Sequence, residues 1–336
     1  MINLGHPITI RNLTINNRAF LAPLAGVSDV PFRRICQEFG AGLTFVEMLS
    51  AKAIKYQNKK TLAMMTRDKN ESILGVQVTG SNAQDISDAI KILAKMPFDA
   101  IDINMGCPVK KVTKVGCGSA LLLDLDRLGE VLLKAREATD KPLSAKIRLG
   151  FYNSIENVTK TAALIAQCGF DMLTIHGRFR SDRYSVPCNH EKIEKGVTSA
   201  KKFSENIICI GNGDVFHIND AHVMLSRTKC EGVMVSRGAL GNPWVFQELV
   251  SNKTVTPNIE DWRNILMRHI SYQESYYGDN ELSAVLLRKH FLWYAKGFPE
   301  VKSLKVKLST VKTLMDARDI IDNFCAKFPK NLIRSS

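Results

Sequence analysis

Apolar residues fall into short runs, separated by longer stretches in which they recur every three or four positions. Runs rich in Val, Ile and Leu read as strands at residues 18–23, 43–47, 73–78, 100–103, 143–149, 172–178, 207–210 and 232–235. Between them the spacing is helical: Ile86, Ile90 and Leu93 share one face, as do Leu128, Val131, Leu132 and Ala135. The first helix starts near Pro31, with Ser28 or Asp29 as its N-cap. Short strands this apolar are buried on both faces, as in an all-parallel sheet. Eight such strand-and-helix units predict an α/β fold, a (β/α)8 TIM barrel over residues 1–245. The alternative is an open doubly wound sheet. Against it, no G-x-G-x-x-G follows the first strand, and the chain does not divide into two nucleotide-binding halves.

After Pro243 the strand signals stop. Residues 258–330 carry helical spacing only, which predicts a small C-terminal all-helical domain over residues 255–336. Leu304, Leu308, Val311 and Met315 are expected on one face of a single helix. Between Arg288 and Lys312 stand Lys289, Lys296, Lys302, Lys305 and Lys307 against one acid, Glu300, with Phe291, Trp293, Tyr294 and Phe298 interleaved. Basic residues among aromatics suit RNA, through phosphate contacts and stacking. The other reading packs the aromatics into the core of the helices and leaves the lysines to solvent. For the aromatics, core is the expected place.

Charge changes this picture. The chain has 336 residues and a net charge of +13, from 46 Lys and Arg against 33 Asp and Glu. Such an excess favours a polyanionic partner, although surface charge for solubility gives the same sum. The eight cysteines show no framework spacing and no CxxC, so the expectation is a reduced, cytoplasmic protein. Cys107 and Cys117 lack nearby partner ligands, and no metal site is expected. The first residues show no signal-peptide core, and no uncharged apolar run reaches the length of a membrane span.

Chemistry concentrates after the fourth strand. Cys107 lies between Gly106 and Pro108, and Lys110, Lys111 and Lys114 follow at once. A thiol in a cationic loop suggests work on an anionic polymer or phosphate; a packed cysteine beside solvated lysines is the alternative. In a barrel the residues after each strand converge on one mouth. Here these are Pro23–Gly26, Glu47, Gln77, Asn104 with Cys107, Lys146 with Arg148, His176 with Arg178, Asn212–Asp214 and Ser236–Gly238. The glycine-rich ends of the last two strands, with Arg237, suit a phosphate dianion. Lys146 is costly in mid-strand unless it faces charge. A flavin with a phosphate tail would give Lys146 an electron-rich ring edge and Gln77 an amide edge. His176 would meet phosphate or ring, or serve as a satisfied core histidine.

Seven segments in order carry a resemblance: 22–29 (A-P-L-A-G-V-S-D), 75–77 (G-V-Q), 104–108 (N-M-G-C-P), 145–148 (A-K-I-R), 175–178 (I-H-G-R), 211–214 (G-N-G-D) and 237–244 (R-G-A-L-G-N-P-W). On these the chain resembles the tRNA-dihydrouridine synthases, nearest to the bacterial B-type, over essentially its whole length. The resemblance implies an FMN enzyme that uses NADPH to reduce chosen uridines in tRNA. Hydride would pass from the flavin to C6 of the uracil, and Cys107 would protonate C5 as general acid. FMN would be held by Pro23, Leu24, Ala25, Gln77, Lys146, His176, Asn212, Gly213, Asp214, Ser236 and Arg237. Asn104 would contact flavin or substrate base. Lys110, Lys111, Lys114, Arg178, Arg180 and Arg183 would meet RNA around the mouth, and Arg288, Lys302, Lys305 and Lys307 would grip the tRNA body.

Two segments depart from the family pattern. Residues 185–190 (S-V-P-C-N-H) replace a Gly and an Ala-Asp-Trp-like stretch, and Ser236 stands where many members have Gly. Three other readings stay open: a TIM-barrel FMN oxidoreductase acting on a free pyrimidine or other small molecule, a phosphate-binding barrel without redox chemistry, and an RNA-binding protein with a vestigial site.

Overall fold

Every residue of the strands Leu74–Thr79 and Ala100–Met105 is buried, so these segments need cover on both faces. The computed structural model, which describes residues 2–334, supplies that cover as a closed barrel. A hairpin comes first, β1 (Ile8–Ile10) and β2 (Leu13–Ile15). The barrel strands follow: β3 (Ala19–Leu21), β4 (Thr44–Ser50), β5 (Leu74–Thr79), β6 (Ala100–Met105), β7 (Leu143–Arg148), β8 (Met172–His176), β9 (Ile208–Asn212) and β10 (Gly232–Val235). All pair in parallel in chain order, and β10 returns to β3. A parallel bridge between Phe20 and Leu43 closes the seam between β3 and β4. The fold is thus the (β/α)8 barrel expected.

The hairpin was not anticipated, although I-T-I and L-T-I alternate as strands do. Its Ile8, Ile10 and Ile15 pack with Phe20, Phe45, Met172, Ile210 and Met234, plugging the barrel interior from below. Helices between the strands bury their apolar stripes against the outer wall. Asp29 caps the first of them, Val30–Glu38, by accepting the N–H of Phe32 at 3.1 Å, and Pro31 sits in its first turn.

After Trp244–Ser251, four helices build a second apolar core: Ile259–Tyr277, Glu281–Tyr294, Val301–Thr310 and Leu314–Cys325. Ile35 of the first barrel helix joins that core, so the helical region rests on the barrel's side. Phe291, Tyr294 and Phe298 are core residues there. The single helix expected through Leu304, Leu308, Val311 and Met315 is instead two. Val311 turns extended, with ψ 136°, and the Thr313 side chain caps a new helix at Asp316. Leu304, Leu308 and Val311 stay buried, while Met315 faces solvent. Residue 1 and residues 335–336, the ends of the two expected domains, lie outside the described residues.

Candidate active site at the barrel mouth

Parallel strands all end at one rim, and the rim residues here enclose a pocket of roughly 1050 Å³ including its opening. Pro23, Leu24, Ala25, Gln77, Asn104, Cys107, Lys146, His176, Arg178, Asn212, Gly213, Asp214, Ser236 and Arg237 all line it. Ala22, Met48 and Met234 add apolar wall. Tyr184, Val215 and Phe216 rim it as well, and sequence reasoning did not single these out.

One end of the pocket is a cationic cradle. Arg178 is 1% exposed and donates to both Asp214 oxygens, at 2.6 and 2.8 Å. It also donates to the carbonyls of Val186 and Tyr184, at 2.6 and 3.2 Å. An RNA contact was expected of Arg178, but burial and these four bonds place it under the site as a brace. Its Nη1 lies 3.3 Å from His176 Nε2. A guanidinium only donates, so Nε2 accepts and the imidazole proton sits on Nδ1. Burial, then the charges of Lys146, Arg148, Arg178 and Arg237, hold the His176 pKa well below its ordinary value. The ring is therefore neutral. Arg237 reaches Asp214 at 3.0 Å and stacks 4.4 Å from the Tyr184 ring.

Gly213 has φ +123°, and a Cβ there would fall 2.9 Å from Cys188 Sγ and 3.1 Å from His176 Cδ2. Cys188 thus packs beneath the glycine turn, and its N–H donates to Asp214 at 3.0 Å. This is the structural use of the divergent 185–190 segment; Asn189 caps the following helix, His190–Phe203. Ser236, the other departure, accepts from Asn212 Nδ2 at 3.1 Å.

The middle of the pocket holds Lys146, whose Nζ donates to Asn212 Oδ1 at 2.9 Å. Burial, and then the Arg148 charge, lower its pKa to about 8. Cys107, half-buried just past the end of β6, also lines the pocket. Its turn is held from both flanks. Asn104 Oδ1 accepts the N–H groups of Gly106 (3.1 Å) and Cys107 (2.5 Å). Ser119 donates to the Cys107 carbonyl through N (3.1 Å) and Oγ (2.9 Å). Arg148 Nε donates to the Gly106 carbonyl at 2.8 Å. Asn104 Nδ2 donates in turn to Gln77 Oε1 at 2.8 Å, and Gln77 Nε2 to Asp102 Oδ2 at 2.7 Å. Sequence reasoning missed Asp102. The signal was present: a carboxylate in the middle of an apolar strand is costly unless hydrogen-bonded.

Lys110, Lys111 and Lys114 are exposed on and just after a one-turn helix, Lys110–Thr113, beside the pocket edge at Val109. Arg183 is exposed. Arg180 lies part-buried over the Phe151 ring, 4.8 Å from its centroid. Lys302 and Lys307 are exposed and Lys305 is part-exposed, on the helix Val301–Thr310 that buries Leu304 and Leu308. Arg288 is not on that outward face. It donates Nε and Nη2 to the Val311 carbonyl, at 2.9 and 2.7 Å, and so closes the end of that helix.

The donor set fits a phosphate-tailed flavin. Among the described residues, the N–H groups of Gly213, Asp214 and Ser236 donate to no acceptor of the chain, and they stand beside Arg237. A flat ring would lie along Pro23, Leu24 and Met234, with Gln77 and Lys146 at its polar edge. Among the described residues no group of three or more His, Cys, Asp or Glu is placed to hold a metal ion, and no helix is long and apolar enough to cross a membrane.

Residues 20–332 match the model of the dihydrouridine synthase (Dus) family. The chain is 35% identical over 293 residues to tRNA-dihydrouridine synthase B of Pasteurella multocida (strain Pm70), covering 86% of each chain. It is 32% identical over 320 residues to tRNA-dihydrouridine synthase B of Vibrio vulnificus (strain CMCP6), covering 94% of this chain and 98% of that one. Among solved structures, 6-hydroxypseudooxynicotine amine oxidase from Pseudomonas geniculata N1 is similar with a TM-score of 0.57 and 13% identity, over 75% of this chain and 50% of that one. A morphinone reductase variant in complex with tetrahydroNAD gives 0.54 and 11%, over 75% of this chain and 91% of that one. At such identities these two likenesses speak for the fold alone.

Proposed function

From the premise that this chain belongs to the dihydrouridine synthase family, we propose that it reduces the C5=C6 bond of specific uridines in tRNA, with FMN as cofactor and NADPH as reductant. What supports this reading most is that one pocket joins a phosphate cradle, an apolar ring-length wall with Lys146 and Gln77, and a half-buried thiol. A bound reduced flavin supplies the hydride for C6. The protein then has three tasks.

The first is to hold the cofactor. Arg237 and the unspent N–H groups of Gly213, Asp214 and Ser236 take the phosphate, while Asp214 balances Arg178 and Arg237. The second is to place the proton. Cys107 would give its thiol proton to C5; one hydride and one proton complete the two-electron reduction. Asn104, Ser119 and Arg148 fix the turn that aims it. The third is to admit the base. A uridine stacked in RNA cannot reach a half-buried thiol inside a pocket, so it must be flipped out. The exposed Lys110, Lys111, Lys114 and Arg183 at the rim, and Lys302, Lys305 and Lys307 on the helical region, hold the RNA backbone around it.

The test is turnover on unmodified tRNA by FMN-loaded protein, read as dihydrouridine by mass spectrometry. Cys107→Ala should keep bound flavin and lose about 10²–10⁴-fold in dihydrouridine formation, the usual worth of a positioned general acid. Full turnover by that variant refutes the assigned role. Reduction of free uracil as fast as of tRNA would favour the small-molecule oxidoreductase instead.

A further inference from the structure

The hydrogen-bond chain behind Cys107 has a direction, and its two ends impose it. At one end, the buried Asp102 carboxylate accepts from Ser144 Oγ at 2.6 Å and from Gln77 Nε2 at 2.7 Å. At the other, the backbone N–H groups of Gly106 and Cys107 only donate. Between these ends lie two amides, Gln77 and Asn104, each with a donating and an accepting side. The acceptor at Asp102 turns the Gln77 nitrogen toward it, which leaves Gln77 Oε1 to face Asn104. Asn104 must then present Nδ2 to Gln77 and Oδ1 to the Cys107 turn, at 2.8 Å and 2.5 Å. Turning over either amide alone would set like groups against each other in a buried place, where an unmet polar group is costly.

We propose that Asp102 is a positioning residue for the reaction: as the obligate acceptor at the root of this chain, it sets the orientation of Gln77 and Asn104 and so locks the backbone turn that carries Cys107. This inference rests on Cys107 being the proton donor. Asp102 does not itself line the pocket, whereas Gln77, Asn104 and Cys107 do. It therefore reaches the substrate only through them. It also ties the two halves of the site together, because Gln77 serves the cofactor end and Asn104 the thiol end.

The experiment moves the carboxylate along the chain. Asp102→Leu keeps size and shape but leaves Gln77 Nε2 and Ser144 Oγ without the carboxylate they donate to, so nothing fixes which way the Gln77 amide faces. The double variant Asp102→Asn with Asn104→Asp lets the run of bonds close again in reverse. Asn at 102 donates to Gln77 Oε1, Gln77 Nε2 donates to the new carboxylate at 104, and that carboxylate accepts the Gly106 and Cys107 N–H groups. In flavin-free protein the readout is the iodoacetamide alkylation rate of Cys107, resolved from the other cysteines by peptide mass spectrometry. In loaded protein it is the rate of transfer to tRNA, compared with the rate of flavin reduction by NADPH.

Asp102→Leu should raise Cys107 alkylation about tenfold and slow transfer to tRNA by at least as much, with a smaller effect on flavin reduction. The double variant should return alkylation to near the wild-type rate. A merely space-filling Asp102 would give no such rescue. Wild-type alkylation in Asp102→Leu, or a double variant as loose as the single one, overturns the proposal. If Asp102→Leu does not fold, the double variant carries the test alone: wild-type alkylation supports the lock, and a loosened turn refutes it. Loss of the thiol's own role would show separately, as full turnover by Cys107→Ala.

Discussion

The barrel mouth and the helical region both bury polar side chains, and they do so in opposite ways. In the mouth, Lys146, Arg148 and Arg178 are drawn inward, and each meets an acceptor: Asn212, the Gly106 and Phe179 carbonyls, and Asp214. In the helical region, the rings of His269 and His290 lie 4.7 Å apart between Phe32 and Tyr294, and none of their four ring nitrogens has a hydrogen-bond partner among the described residues. Burial pushes His269 down to about 3, so this pair acts as aromatic filling. Lys302 and Lys307 of that region point outward instead, while Arg288 closes a helix end. Burial of a titratable group is thus a poor sign of function by itself. A directed set of partners aimed at a cavity is a better one.

The contrast can be broken most sharply at Arg178. Arg178→Met removes the buried partner of Asp214, which is itself part-exposed and keeps Arg237. Stability should fall by roughly 3 kcal/mol in denaturant unfolding, the low end for halving a buried pair, and FMN affinity should fall with it. An intact FMN affinity in titration would mean that the cradle does not depend on this brace.

A smaller effect is expected outside. Changing Lys302, Lys305 and Lys307 together to Glu should weaken tRNA binding and lower the slope of log affinity against log salt by about 2–3, while NADPH oxidation by the flavin continues. An unchanged slope would move the RNA face away from the helix Val301–Thr310.

The contrast can also be sharpened through pH, at Lys146. Its pKa is about 8 in the folded protein, below the ordinary 10.5, so between these values the unfolded chain holds the proton that the native chain has released. Flavin-free protein should therefore gain stability from this group as pH rises from 8 to 10.5, and suffer its full cost below 8. Lys146→Met should remove that slope, measured as the difference between the two proteins' pH–stability curves. Parallel curves would show that the buried amine is not paying a desolvation cost.

Much of this protein was legible in the chain alone. Eight apolar runs with helical spacing between them determine a barrel, because a strand buried on both faces has no simpler home than a parallel sheet wrapped by helices. The strand ends named the pocket for the same reason: parallel strands deliver their last residues to one rim. Gln77, Lys146, His176 and Cys107 could be collected without coordinates. Sequence did not tell which way a side chain's partners lie. Arg178 read as an RNA contact from the family resemblance, and only packing under Gly213 and Asp214 turned it into a brace. Arg288 looked like part of a basic face until the break at Val311 gave it a carbonyl to close. Asp102 passed as a strand residue, since its acceptor role exists only when β5 and β6 lie side by side with Gln77 opposite it. Periodicity is local and survives in one dimension, whereas a hydrogen-bond chain is a relation between distant segments, and the tertiary structure alone decides it.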